Sequence, residues 1–140
     1  MEKPIQPRRL VLYADDDSDD LDFVQHAFLK HPEIELRIFR TAPDLLHSLL
    51  HQKRGDSSPC LIILDMNMPG MTGKEALKLM RAYRSFDQIP VVLFTTSSAP
   101  HDKKFAEYYK AGFFTKPLNE NQMEEIVDKF LDHCNAAIRQ

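Results

Sequence analysis

The strongest constraint on how this chain can fold is an alternation. Short apolar runs recur along it, and each is followed by a stretch whose apolar residues return at helical spacing. Leu10-Val11-Leu12-Tyr13-Ala14, Cys60-Leu61-Ile62-Ile63-Leu64 and Val91–Phe94 are apolar throughout, as expected of strands buried on both faces. Ile34–Phe39 alternates, with Ile34, Leu36 and Ile38 set against Glu35 and Arg37, which suits a half-exposed edge strand. Phe113–Thr115 is a short final strand. Helices are expected from Asp17-Ser18 to just before Pro32, and over Pro43–Lys53, Gly73–Tyr83, Pro100–Lys110 and Glu120–Ala136. Their inward stripes include Leu21, Val24 and Phe28 in the first, Leu45, Leu46, Leu49 and Leu50 in the second, and Met123, Ile126, Val127, Phe130 and Leu131 in the last. Strand–helix alternation of this kind predicts a parallel sheet, and right-handed crossovers place helices on both of its faces.

A length of 140 residues suits one domain, expected over 9–135 with flexible tails at 1–8 and 136–140. The net charge of −3 and the lack of a long basic run argue against direct nucleic-acid binding. No apolar stretch is long enough to cross a membrane, and Met1–Arg9 has no signal-peptide core, so a cytoplasmic protein is expected. Cys60 and Cys134 are too few for a disulfide framework and are expected as free thiols.

The chemistry is concentrated at the strand ends. Asp15, Asp16, Asp17, Asp19, Asp20 and Asp22 crowd together directly after the first strand, and Asp65 ends the third. Clustered carboxylates repel unless a cation joins them or they take up protons. Asp17, Asp19, Asp20 and Asp22 read as solvated charges at a helix start. Asp15 and Asp16 sit where the strand surfaces. Asp15, Asp16, Asp65, Thr95 and Lys116 all lie at or just beyond the ends of apolar strands, where ligands bind in open α/β sheets. Two carboxylates, a backbone carbonyl and waters suit Mg²⁺, and no His/Cys cluster points to zinc or copper. His47 and His51 stand four apart on a helix, but no third ligand accompanies them. A carboxylate beside Mg²⁺ can itself be a nucleophile for a phosphoryl group, with a hydroxyl and an ammonium holding the remaining oxygens.

From Arg9 to about His133 the chain resembles the receiver domain of two-component response regulators. The motifs are Asp15-Asp16-Asp17, Leu64-Asp65-Met66-Asn67-Met68-Pro69-Gly70, Thr95 and Lys116-Pro117, in this order. The resemblance implies an α/β, flavodoxin-like, doubly wound five-stranded parallel sheet of order 2-1-3-4-5 with five helices. It implies Asp65 as phosphoacceptor, Asp16 as the direct Mg²⁺ carboxylate, Asp15 as its second or water-mediated partner, and Asn67 as donor of a backbone carbonyl. It further implies Thr95 as switch hydroxyl, Lys116 as phosphoryl-binding ammonium, Phe113 as switch aromatic, and a cis Lys116–Pro117 bond. No output domain is expected after the last helix, so the chain is expected to be similar to stand-alone receivers, in particular those of phytochrome-type and hybrid sensor kinases.

The expected function is a phosphorylation-dependent signalling switch rather than an enzyme, a phosphoacceptor that assists its own phosphorylation and dephosphorylation. A sensor histidine kinase or phosphotransfer protein would donate the phosphoryl group, and a downstream protein or a second copy in a homodimer would read the result. Two rivals stand beside it. One is a small Mg²⁺-dependent aspartyl-phosphate phosphatase, disfavoured because Asn67 occupies the position where such enzymes carry an acid/base aspartate. The other is a degenerate receiver that only binds a partner. The stretch Tyr109–Gly112 looks shorter than the family's usual approach to the last strand, which bears on the output surface. Phe113 and Phe114 alternate on that strand, so one ring is expected to face outward.

Overall fold

The computed structural model describes residues 8–52 and 58–138, with side chains described as far as residue 135. The elements follow in strict alternation: β1 (Arg9–Ala14), α1 (Ser18–Phe28), β2 (Ile34–Phe39), α2 (Ala42–Leu50), β3 (Leu61–Asp65), α3 (Gly73–Ala82), β4 (Val91–Thr95), α4 (Pro100–Tyr108), β5 (Gly112–Thr115) and α5 (Glu120–Ile138). The strands form one parallel sheet in the order β2-β1-β3-β4-β5. Among the described residues, the expected fold class and strand order hold.

The central strands divide their side chains by parity, because successive residues of a strand point to opposite faces. Leu10, Leu12, Ile62, Leu64, Val91 and Leu93 pack against α2, α3 and α4. Val11, Tyr13, Leu61, Ile63, Val92 and Phe94 pack against α1 and α5. Continuous apolar runs are needed because both faces are dry. The helices start on side-chain caps: Asp17 accepts from the backbone N–H groups of Asp19 and Asp20, Thr41 from Asp44, and Thr72 forms a reciprocal capping box with Glu75. The α4 helix starts instead on Pro100, whose ring is preset for a first turn.

Several expectations need correction. Leu50 is 58% exposed, because it lies outside the stripe that buries Leu45 and Leu49. Cys60 and Cys134 are joined as a disulfide: α5 lies along the sheet with Cys134 over the start of β3, and the Cα atoms come within 4.7 Å. Neither ring of the phenylalanine pair is free. Phe113 packs against the buried cluster beneath α2, α3 and α4 on one face, and Phe114 meets Phe130 edge-on at 5.1 Å on the other. Arg8 is anchored, donating to the carbonyls of Pro32 and Ile34. The rest of the segment expected as an N-terminal tail lies outside the described residues, as do residues 139–140.

The short connection from α4 to β5 turns through Lys110, whose φ of 56° is left-handed. Arg81 of α3 holds this turn. Its guanidinium donates to the carbonyls of Tyr109 and Lys110 and also to those of Asp87 and Ile89 before β4.

Candidate functional site

The site sits at the carboxyl ends of β1, β3, β4 and β5. Pairing of Asp15 N–H with the Phe39 carbonyl carries Asp15 one step past β1, where its carboxylate is fully buried. That burial is satisfied by two protein donors besides an ammonium: the Tyr13 hydroxyl donates to Oδ2 at 2.6 Å, and Asp17 N–H to Oδ1 at 3.0 Å. Tyr13 and Asp15 share a face because they are two apart on a strand. Asp65 ends β3 and is 4% exposed, with Asn67 N–H reaching its Oδ1 at 3.3 Å. The α3 helix packs against this point so closely that a Cβ on Gly73 would collide with the Asp65 carbonyl. Thr95 ends β4, fully buried, its Oγ1 accepting from Ser97 N–H at 3.0 Å.

Lys116 enters from β5. Its backbone N–H donates to the Thr95 carbonyl at 2.6 Å, and its ammonium lies 2.7 Å from Asp20 Oδ2, 3.0 Å from Asp15 Oδ2 and 3.3 Å from Asp65 Oδ1. The Lys116–Pro117 bond is trans, against expectation. Strand pairing and the three carboxylates bring the lysine inward.

Carboxylate oxygens of Asp15, Asp16 and Asp65 converge within 4.8 Å of one another, with Asp16 exposed at the mouth. Three hard oxygens and no nitrogen or sulfur donor fit a Mg²⁺-like cation. Asn67 adjoins this cluster in sequence and is exposed. Phe113 stands apart from it, in the layer beneath α4.

The electrostatics follow from burial and crowding. Burial, then the charge of Asp15, pushes the Asp65 carboxyl up to about 7, against the pull of Lys116. Burial alone would lower Lys116, but its bond to Asp20 and the charges of Asp15 and Asp65 outweigh that, leaving it above its ordinary value. Tyr13 is raised by burial and by the carboxylate it serves. Asp20 is also raised, burial outweighing its bond to Lys116.

A second polar chain borders the site. The Ser97 hydroxyl donates to Asp102 Oδ2 at 2.6 Å, and Lys74 of α3 pairs with the other oxygen of the same buried carboxylate. The bond from Lys74, then that from Ser97, outweighs burial and holds Asp102 below the usual carboxylate range.

Asp15, Asp16, Asp65, Thr95 and Lys116 are thus gathered at one edge, as their strand-end positions suggested. Tyr13, Asp20, Ser97, Lys74 and Asp102 were not foreseen. Period-two spacing could have pointed to Tyr13. Nothing local could have shown that Asp20, three residues past a capping aspartate, meets a lysine from the last strand.

The chain matches the response regulator receiver domain family over residues 11–128. It is 32% identical over 112 residues to Stress response regulator protein 1 of Debaryomyces hansenii, covering 77% of this chain and 43% of that protein. To Chemotaxis protein CheV2 of Helicobacter pylori it is 25% identical, covering 91% of this chain and 40% of the relative. The chain therefore spans about two fifths of the length of these curated relatives. Among solved structures, a two-component response regulator from Legionella pneumophila superposes with a TM-score of 0.72 at 29% identity, covering 89% of this chain and 99% of that one. The Mn²⁺-bound form of response regulator Rcp1 superposes with a TM-score of 0.75 at 26% identity, covering 86% and 90%. With the family match spanning residues 11–128 and the fold shared over 86–89% of its length with these structures, the chain belongs to the response regulator receiver domain family.

Proposed function

We propose that this receiver domain is a phosphorylation-dependent switch in which Asp65 accepts a phosphoryl group in the presence of Mg²⁺. The observation that carries the reading is the convergence at Asp65: carboxylate oxygens of Asp15 and Asp16 lie with one of Asp65 within 4.8 Å of one another, the Lys116 ammonium is 3.3 Å from Asp65, and Thr95 ends the neighbouring strand. Asp16 would be the direct carboxylate ligand, with Asp15 and Asp65 completing the set and Asn67 adding its backbone carbonyl. A bound Mg²⁺ would supply charge neutralisation between the phosphoryl oxygens and the carboxylates. That a similar response regulator has a Mn²⁺-bound form supports a divalent ion here.

The Asp65 carboxylate needs no general base, since the ionised oxygen is itself the nucleophile. It forms the new P–O bond as the donor's bond to phosphorus breaks, and the leaving imidazole or carboxylate keeps the bonding pair. Lys116 then meets a phosphoryl oxygen with its ammonium. Thr95 already uses its Oγ1 as acceptor for Ser97 N–H, so its proton is the part available to a phosphoryl oxygen. Movement of Thr95 toward Asp65 would unload the packing around Phe113 and change the α4–β5–α5 surface. The donor would be a histidine kinase or phosphotransfer protein, and the reader a further protein or a second copy of this chain.

The test is labelling with acetyl phosphate and Mg²⁺, followed by mass-spectrometric location of the modified residue. Label on Asp65, dependent on Mg²⁺ and lost in Asp65→Asn, is expected. Undiminished labelling of folded Asp65→Asn would overturn the assignment.

A further inference from the structure

Asp20 lies in the first turn of α1, half-buried, with Oδ2 2.7 Å from the Lys116 ammonium. That is nearer than Asp15 or Asp65 comes. Yet Asp20 is not among the three residues whose oxygens converge for a cation. Among the described residues it is a fourth carboxylate, paired with the lysine alone. We propose that Asp20 is a positioning residue that restrains Lys116 and thereby lowers the affinity of the site for a phosphoryl group. This rests on the reading of Asp65 as phosphoacceptor and deepens it.

The argument is one of partner exchange. An ammonium has three protons, and three carboxylates already surround this one. A phosphoryl group on Asp65 brings new anionic oxygens, so Lys116 must give up a partner to bind them. A divalent ion would neutralise Asp15 and Asp65 but leave Asp20 unneutralised, and so Asp20 remains the competitor for the ammonium. Its charge also repels the incoming anion directly. Competition and repulsion act with the same sign on a phosphoryl group and with the opposite sign on a cation. The side chains of Lys116 and Asp20 are 9% and 24% exposed, so water screens the pair only in part.

Asp20→Asn keeps the size and removes the charge. Beryllofluoride at saturating Mg²⁺, followed by ¹⁹F NMR or calorimetry, reads the phosphoryl-like affinity, and Mg²⁺ titration alone reads the cation affinity. A charge-assisted hydrogen bond of the usual net strength corresponds to about tenfold or more in an equilibrium constant. Beryllofluoride should therefore bind about tenfold tighter to Asp20→Asn, while Mg²⁺ binds somewhat more weakly. Asp20→Ala, with the best helix-forming residue at that place, should show the same pair of opposite shifts. Asp19→Asn removes the same charge from the same helical turn on an exposed side chain, and should leave both affinities within about twofold of the unaltered protein. Unchanged or weaker beryllofluoride binding by folded Asp20→Asn and Asp20→Ala would overturn the proposal, as would an equal gain in Asp19→Asn. Asp65→Asn separates the two readings. If it binds beryllofluoride as the unaltered protein does, the phosphoacceptor assignment fails. If it alone loses binding while the Asp20 variants gain nothing, only the role of Asp20 fails.

Discussion

Replacing Tyr13 by phenylalanine removes a single oxygen from the base of the site. That oxygen donates to Asp15 Oδ2 at 2.6 Å, and neither side chain is exposed. Hydrogen bonds to charged groups contribute ~1.5–3 kcal/mol net, and a buried charge that loses a donor is not rescued by water. Asp15 retains Asp17 N–H and Lys116, so its charge is not orphaned outright. The expected loss of stability is therefore about 1.5–3 kcal/mol, or about 5–9 °C in Tm for a domain of this size. Urea denaturation in metal-free buffer at pH 7.5 measures it. The attribution to Asp15 is tested by a double-mutant cycle: in an Asp15→Asn background the same substitution should cost about 1 kcal/mol or less, since a neutral bond remains. Mg²⁺ should restore more stability to Tyr13→Phe than to the unaltered protein, because the cation takes over part of the lost charge compensation. A cost below about 0.5 kcal/mol, or one unchanged in the Asp15→Asn background, would refute this reasoning.

Arg81→Met, which keeps the aliphatic stem but frees four carbonyls, should destabilise the domain by about 2–4 kcal/mol in urea denaturation, the carbonyls near the surface being partly rehydrated. Gly73→Ala should displace the start of α3 from Asp65 and weaken Mg²⁺ binding in a calorimetric titration, while Gly70→Ala, with open space around it but a φ of +78°, should cost about 1 kcal/mol in stability. In metal-free protein, Asp65 is held near 7, above its unfolded value of about 3.9, so folding retains a proton that the unfolded chain releases. Its contribution is fully present below pH 4 and is lost as pH rises to about 7, so the difference in stability between Asp65→Asn and the unaltered protein should grow in the variant's favour across that window.

The layered fold was legible because β1, β3 and β4 each carry an unbroken apolar run, as strands of a sheet covered on both faces do. The strand-end set of Asp15, Asp65, Thr95 and Lys116 was legible for the same reason: a polar residue closing a buried run has few places to go. What escaped was tertiary. Asp20 looks like any acidic residue in a first helical turn until Lys116, 96 positions away, is brought over it. Asp102 likewise looks like a surface charge on a polar helix, yet Lys74 and Ser97 let it be buried. Cys60 and Cys134, separated by 74 residues, carry no local sign of pairing, because only the lie of α5 across β3 brings them together.

The disulfide and the Arg81 clasp both lie at the amino ends of the strands, opposite the carboxylates. There the residue before β3 is bonded covalently to α5, and one guanidinium ties α3 to the turns that precede β4 and β5. At the other end, the β4–α4 turn is held by hydroxyls and by the pairing of Lys74 with Asp102. The molecule is therefore pinned at its base and adjustable at its crown, like a clip with a fixed spring. On the proposed reading, a charge arriving at the crown would tilt the upper ends of α3 and α4 about that base, and a displacement too small to open the core would still be read by a docked protein as a change of angle.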